Sequence, residues 1–109
     1  MNGNRPELTN TRGEEILLFQ IDRFLINYPA YAAIMANAVV FFSEDAPRIN
    51  PTKLQRRYFI GYNVADAMLT SLKAARAVRH FYEPRRDELC MDKDQAKLLA
   101  EYILKRKQG

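Results

Sequence analysis

The sequence predicts an all-α protein, an up-and-down antiparallel four-helix bundle. Three observations carry that prediction. Apolar residues recur at helical spacing through most of the chain, so each run presents an apolar face. The breaks between runs fall at prolines: Pro29, Pro47, Pro51 and Pro84. With 4 Gly and 5 Pro in 109 residues, tight turns joining many short strands are not expected. That length suits one domain with a modest core. Residues 1–12 are read as a flexible N-terminal segment and 13–107 as the bundle.

The first helix is expected over about 13–28. Thr11 is placed to cap it, with Glu14 completing a capping box. Leu17, Leu18, Ile21, Phe24, Leu25 and Tyr28 form one apolar stripe, while Ile16, Phe19 and Ile26 lie on a second side. Pro29 suits the first turn of the next helix, which runs to about Phe42 before Ser43-Glu44-Asp45-Ala46-Pro47 breaks it. This second helix, AYAAIMANAVVFF after the proline, shows no polar face. Asn50-Pro51 is a cap followed by proline at the first helical position. A long third helix is read from there to about Tyr82, roughly 45 Å if unbroken. Its first half is apolar on two sides, and one of these faces continues into Lys73, Arg76, Arg79 and His80. Arg85-Arg86-Asp87-Glu88 is read as a connection. Asp92 and Gln95 form a second capping box, opening a last helix with Leu98, Leu99, Tyr102 and Ile103 inward and Lys105-Arg106-Lys107 at its C-terminal end.

Each helix of a bundle normally keeps a wet face. The second helix has none in sequence, and large exposed apolar patches mark interaction surfaces. Self-association into a ring or barrel is the expectation, with Ile16, Phe19, Ile26, Tyr31, Met35, Val39 and Phe42 as the oligomer interface. A membrane role is not expected, because the apolar run is shorter than the roughly 20 residues of a spanning helix. The polar N-terminal stretch shows no targeting segment, and the single Cys90 fits a reducing compartment, so a cytoplasmic protein is expected.

No enzyme is read from the chain. One His and one Cys cannot build the usual zinc site, and no metal or other cofactor is expected. Gly61 stands alone inside a helical pattern, where close packing rather than a phosphate loop is the reading. Cys90 reads as a buried or half-buried small side chain. Arg76 and His80 stand too close together for the Arg–His motif of HEPN-type helical ribonucleases, so His80 reads as a surface or capping residue.

Charge is the feature that points to a partner. The net charge is +4, and it is uneven: residues 1–49 carry −2 and residues 50–109 carry +6. Such asymmetry suits an anionic partner. The candidate nucleic-acid contacts are Lys53, Arg56, Arg57, Lys73, Arg76, Arg79, Arg85, Arg86, Lys105, Arg106 and Lys107. With the last two helices antiparallel, they would form two basic ends, Arg56 and Arg57 beside Lys105–Lys107, and Arg79 near Arg85 and Arg86. Neither a recognition helix nor an aromatic RNA-recognition sheet is apparent, so binding would follow the backbone of RNA or DNA without reading sequence.

Three segments carry a resemblance: Asn27-Tyr28-Pro29 leading into an apolar helix, YNVADAMLTSLKAARAVRHF, and MDKDQAKLLAEYILKRK. Together they span most of residues 14–107. The chain resembles the accessory variability determinant proteins of diversity-generating retroelements, relatives of four-helix-bundle proteins encoded in intervening sequences of ribosomal RNA genes. The resemblance implies a barrel-shaped homopentamer that binds a reverse transcriptase and nucleic acid, with no catalytic residues in this chain. The basic positions named above rest on charge and placement. The rival expectation is a small helical adaptor or inhibitor that docks one protein partner without nucleic acid.

Overall fold

The computed structural model describes residues 11–44 and 47–108. The described chain is mostly helical: α1 (Thr11–Asn27), a single 3-10 turn (Pro29–Tyr31), α2 (Ala32–Glu44), α3 (Pro51–Tyr58), α4 (Tyr62–Ala74) and α5 (Lys93–Gln108). A hairpin of β1 (Val78–Tyr82) and β2 (Arg85–Leu89) lies between α4 and α5. The expected flexible segment at 1–12 falls mostly outside the described residues. Its last two, Thr11 and Arg12, already open α1, so Thr11 is in the helix rather than before it.

Pro29 acts as expected. The chain bends by 114° there, which turns α2 away from α1. α2 is the central helix. It packs most extensively on α5, and its remaining neighbours include the 3-10 turn and β2, while α1 and α3 pack on α4. Ala32, Met35, Ala36, Ala38, Val39 and Phe42 are buried along it. They join Leu17, Ile21 and Phe24 of α1, Met68 and Leu72 of α4, and Leu99 and Ile103 of α5 in one core.

α2 does keep a wet strip. Ala33, Asn37 and Glu44 are its exposed positions and share one side. Beside that strip α3 covers the helix. The Tyr58 hydroxyl donates to Asn37 Oδ1 at 2.6 Å, and the Arg57 guanidinium lies over the Phe41 ring at 3.5 Å. The neighbours that α2 needs are therefore supplied largely by its own chain. Met35, Val39 and Phe42 are corrected accordingly: exposed by 2% or less, they are core residues and not an oligomer interface. Of the other expected interface residues, Ile16 and Tyr31 are half-buried, and Phe19 and Ile26 are exposed.

The long third helix is also corrected. It is two helices followed by a hairpin. α3 ends at Phe59, whose φ of 55° is left-handed, and Gly61 opens α4 with an extended backbone. Gly61 is not there for close packing, since nothing lies within 4 Å of where its Cβ would be. α4 ends in a Schellman motif: Arg76 is left-handed at φ 65°, its N–H donates to the Lys73 carbonyl, and the Ala77 N–H donates to the Leu72 carbonyl. The chain then leaves as a strand. The hairpin pairs Val78 with Leu89 and His80 with Asp87, and turns at Glu83–Pro84, a cis peptide. Segment 85–88, expected as a connection, is therefore a strand. Pro47–Ile49 runs antiparallel along the outer edge of β2, with the Ile49 N–H donating to the Asp87 carbonyl and the Leu89 N–H to the Pro47 carbonyl.

The two sequence-predicted caps that open α3 and α5 are formed. Asn50 Oδ1 accepts from the Lys53 N–H at 2.8 Å, and Asp92 and Gln95 make reciprocal bonds at 2.8 and 3.3 Å. Cys90, expected buried or half-buried, is exposed. Among the described residues no single helix is long and apolar enough to cross a membrane.

Candidate nucleic-acid interface

The hairpin and the start of α3 face each other across a cleft of about 400 Å³. The local sequence explains why. Ile49 is 1% exposed and anchors the segment before α3 in the core, while its backbone bonds to β2. Arg48, next to this anchor, is exposed. Asn50 then caps α3, and Lys53, one turn in, sends its Nζ back to the Arg48 carbonyl at 3.2 Å. On the facing wall are His80, Arg85, Arg86 and Asp87. His80 pairs with Asp87 and Tyr82 with Arg85 across the ladder, so these four share one face of the hairpin.

Among the described residues Asp87 is the only carboxylate lining the cleft, and two side chains hold it. His80 Nδ1 lies 2.7 Å from Oδ1 and Lys73 Nζ 3.0 Å from Oδ2. Burial alone would raise this carboxyl. The hydrogen bonds from His80 and Lys73, with their charge, outweigh it and hold the Asp87 carboxyl below its ordinary range. Arg86 is also committed. It pairs with Glu88, donates to the Pro84 carbonyl at 2.9 Å and lies over the Phe81 ring. Arg48, Lys53 and Arg85 form no ion pair with a carboxylate among the described residues. Three cations without an ion pair among the described residues, around one concave site, give it a local field that favours an anion. A larger depression between α1 and α4 is lined instead by neutral polar groups such as Gln20, Asn63 and Thr70, with one Arg23 against one Asp66.

Of the predicted cations, the structure gathers Lys53, Arg85 and Arg86 in the cleft and sets Lys73 beside it through Asp87. Arg56 is exposed farther along α3. Arg57 packs on Phe41 and Tyr58. Arg76 closes α4, and Arg79 stands on the opposite hairpin face from His80. On α5, Lys105 is exposed, and Arg106 bonds Asp22 at 3.2 Å, beside the hydrogen bond from the Tyr102 hydroxyl to the same carboxylate. The Lys107 side chain lies outside the described residues. The expected face of Lys73, Arg76, Arg79 and His80 does not exist, because the helix that would carry it ends at Ala74.

Arg48, Ile49, Asn50, His80 and Asp87 complete the cleft and are not among the predicted contacts. Arg48 falls in the acidic half of the chain, where nothing in composition singles it out. Its only local signal is its place just before the Asn50-Pro51 cap. Among the described residues no cluster of His, Cys, Asp and Glu could hold a metal ion. No family model, curated protein or solved structure matches the chain.

Proposed function

We propose that this protein is a non-catalytic, nucleic-acid-binding accessory protein, and that its basic cleft takes the phosphate backbone of RNA or DNA without reading sequence. The observation that carries this reading is the convergence on one cleft of Arg48, Lys53 and Arg85, none of which forms an ion pair among the described residues, while the carboxylate of Asp87 is taken up by His80 and Lys73. Phosphate contacts of this kind release counterions, so affinity falls steeply with salt. The asymmetry of charge along the chain and the exposed Arg56 supply a wider field around the cleft.

The test is a fluorescence-anisotropy titration of labelled RNA at low and moderate salt. Reversing charge at Arg48→Glu and Arg85→Glu together should weaken binding at least about 10-fold and shallow the logarithmic salt slope by about two. Unchanged affinity and slope would remove the cleft from the function. Arg57→Glu, by contrast, should act on packing of α3 rather than on the salt slope.

Within this proposal the sequence resemblance supplies the assembly: a homo-oligomeric barrel serving a reverse transcriptase in a retroelement complex. Phe19 and Ile26, 59% and 77% exposed, are the expected interface residues that support it. The same two side chains support the alternative reading of an adaptor docking one protein, for which salt-sensitive nucleic-acid binding would be absent.

A further inference from the structure

Phe59 is the most exposed large apolar side chain described, at 92%. Its backbone is left-handed at φ 55° and ψ 46°, a conformation that disfavours a bulky residue and suits glycine or asparagine. Neither the core nor the turn calls for a phenyl ring at this position. Tyr62, three residues later at the start of α4, is 57% exposed. Neither ring stacks on another ring or on a cation of this chain among the described residues. Two bare aromatic rings therefore flank the α3–α4 corner.

The corner is linked to the cleft by α3 itself. Lys53 stands in the cleft at the start of that helix, and Phe59 follows its last residue. At about 1.5 Å per residue they are roughly 9 Å apart along the axis. The exposed Arg56 lies between them, one turn from Lys53. Cations, then an unpartnered aromatic, along one short exposed path is the pattern of a single-strand site. The backbone is held electrostatically, and an unpaired base has a π-face to offer the ring. A duplex keeps its bases stacked on one another and offers no such face to a protruding ring.

We infer that Phe59, assisted by Tyr62, is a base-stacking platform, and that the ligand of the cleft is a single-stranded nucleic acid running from Arg48, Lys53 and Arg85 along α3 to the α3–α4 corner. The inference rests on the phosphate-binding reading and adds strandedness to it. Arg56 contacts the backbone between the two points. Stacking tolerates any base, so the site stays sequence-neutral.

The test uses the full chain and a labelled oligonucleotide of about a dozen nucleotides, as a single strand, as the matching duplex, and as a strand carrying abasic sites. The wild-type protein should prefer the single strand. Phe59→Ala should weaken single-strand binding by about 5- to 100-fold, while leaving abasic-strand affinity and the salt slope unchanged. The fold should tolerate this variant, because a side chain 92% exposed contributes little burial, and circular dichroism checks that directly. Phe59→Trp should restore affinity. The chain has no tryptophan, so the introduced indole reports from that position alone, and its emission should be quenched as a base stacks on it.

Salt-sensitive binding that Phe59→Ala does not change, or an indole left unquenched, overturns the stacking inference and leaves the phosphate cleft standing. Equal affinity for duplex and single strand overturns it too. Absence of salt-sensitive binding, with Arg48→Glu and Arg85→Glu without effect, overturns the phosphate reading and this inference with it.

Discussion

Asp87 receives the His80 ring on one carboxylate oxygen and the Lys73 ammonium on the other. Lys73 comes from the last turn of α4, so this one side chain ties the hairpin to that helix. Its depressed pKa has a fixed sign for stability. The group is ionised more readily folded than unfolded, so its contribution is full above the ordinary carboxylate range and disappears as pH falls through the folded value. Thermal unfolding of wild type and Asp87→Asn across the acid range should therefore show wild type more stable near neutrality and the two curves converging as pH drops. A gap that persists at the acid end would mean that Asp87 acts by shape rather than charge. This pairing was not legible in the sequence. Lys73, His80 and Asp87 were each visible, but the turn at Glu83–Pro84 that brings the last two together joins strands that read as helix and connection. The Asn50 and Asp92 caps were legible, because a cap bonds only within its own first turn.

At the level of elements, the sequence punctuation is read correctly at Pro29 and Pro51, but not at Pro84, which turns a hairpin instead of ending a helix. Pro29 and Pro51 set the starts of the 3-10 turn ahead of α2 and of α3 because their rings restrict the backbone directly. The long third helix was misread because its two breaks use side chains that sequence assigns to helix interiors. Phe59 and Arg76 take left-handed conformations that are ordinarily filled by glycine or asparagine. β2 is composed of Arg85-Arg86-Asp87-Glu88-Leu89, a poor strand former on propensity, and it is fixed by pairing on both sides, with β1 and with Pro47–Ile49. The Arg76 site yields a direct test. Relieving the left-handed cost, about 1–2 kcal/mol for a non-glycine residue, against the roughly 0.5–1 kcal/mol entropy of added glycine, should leave Arg76→Gly more stable by about 0.5–1 kcal/mol. That is a rise of several degrees in Tm by differential scanning calorimetry. A lower Tm would mean that the arginine side chain contributes more to the fold than its exposed position indicates.

For the whole molecule, the apolar surplus of α2 was visible in sequence, but its destination was not. A helix without charged residues along most of its length can be covered by other subunits or by its own chain. Which applies depends on non-local packing: here α5 on one flank and Arg57 and Tyr58 of α3 on another. What remains bare on α1 is Phe19 and Ile26, and these define the assembly test. Light scattering of the 12.7 kDa chain should give a mass several times the monomer if the proposed oligomer forms. Phe19→Asp with Ile26→Asp should return that mass toward one chain while leaving helicity intact. A wild-type monomer at every concentration would exclude the barrel. An oligomer indifferent to both substitutions would place its contacts elsewhere.

The backbone bonds that join Pro47–Ile49 to β2 have a kinetic consequence. They fasten the two walls of the cleft to each other, since the strand that carries Arg85 is hydrogen-bonded to the segment that carries Arg48. The cations need not be gathered at the moment of encounter. Under the proposed function, capture of a phosphate backbone would then be governed mainly by electrostatic steering of two charged bodies toward each other, with little rearrangement to follow. Added salt acts on arrival in such a site, while departure is timed by whatever holds the strand once it has landed.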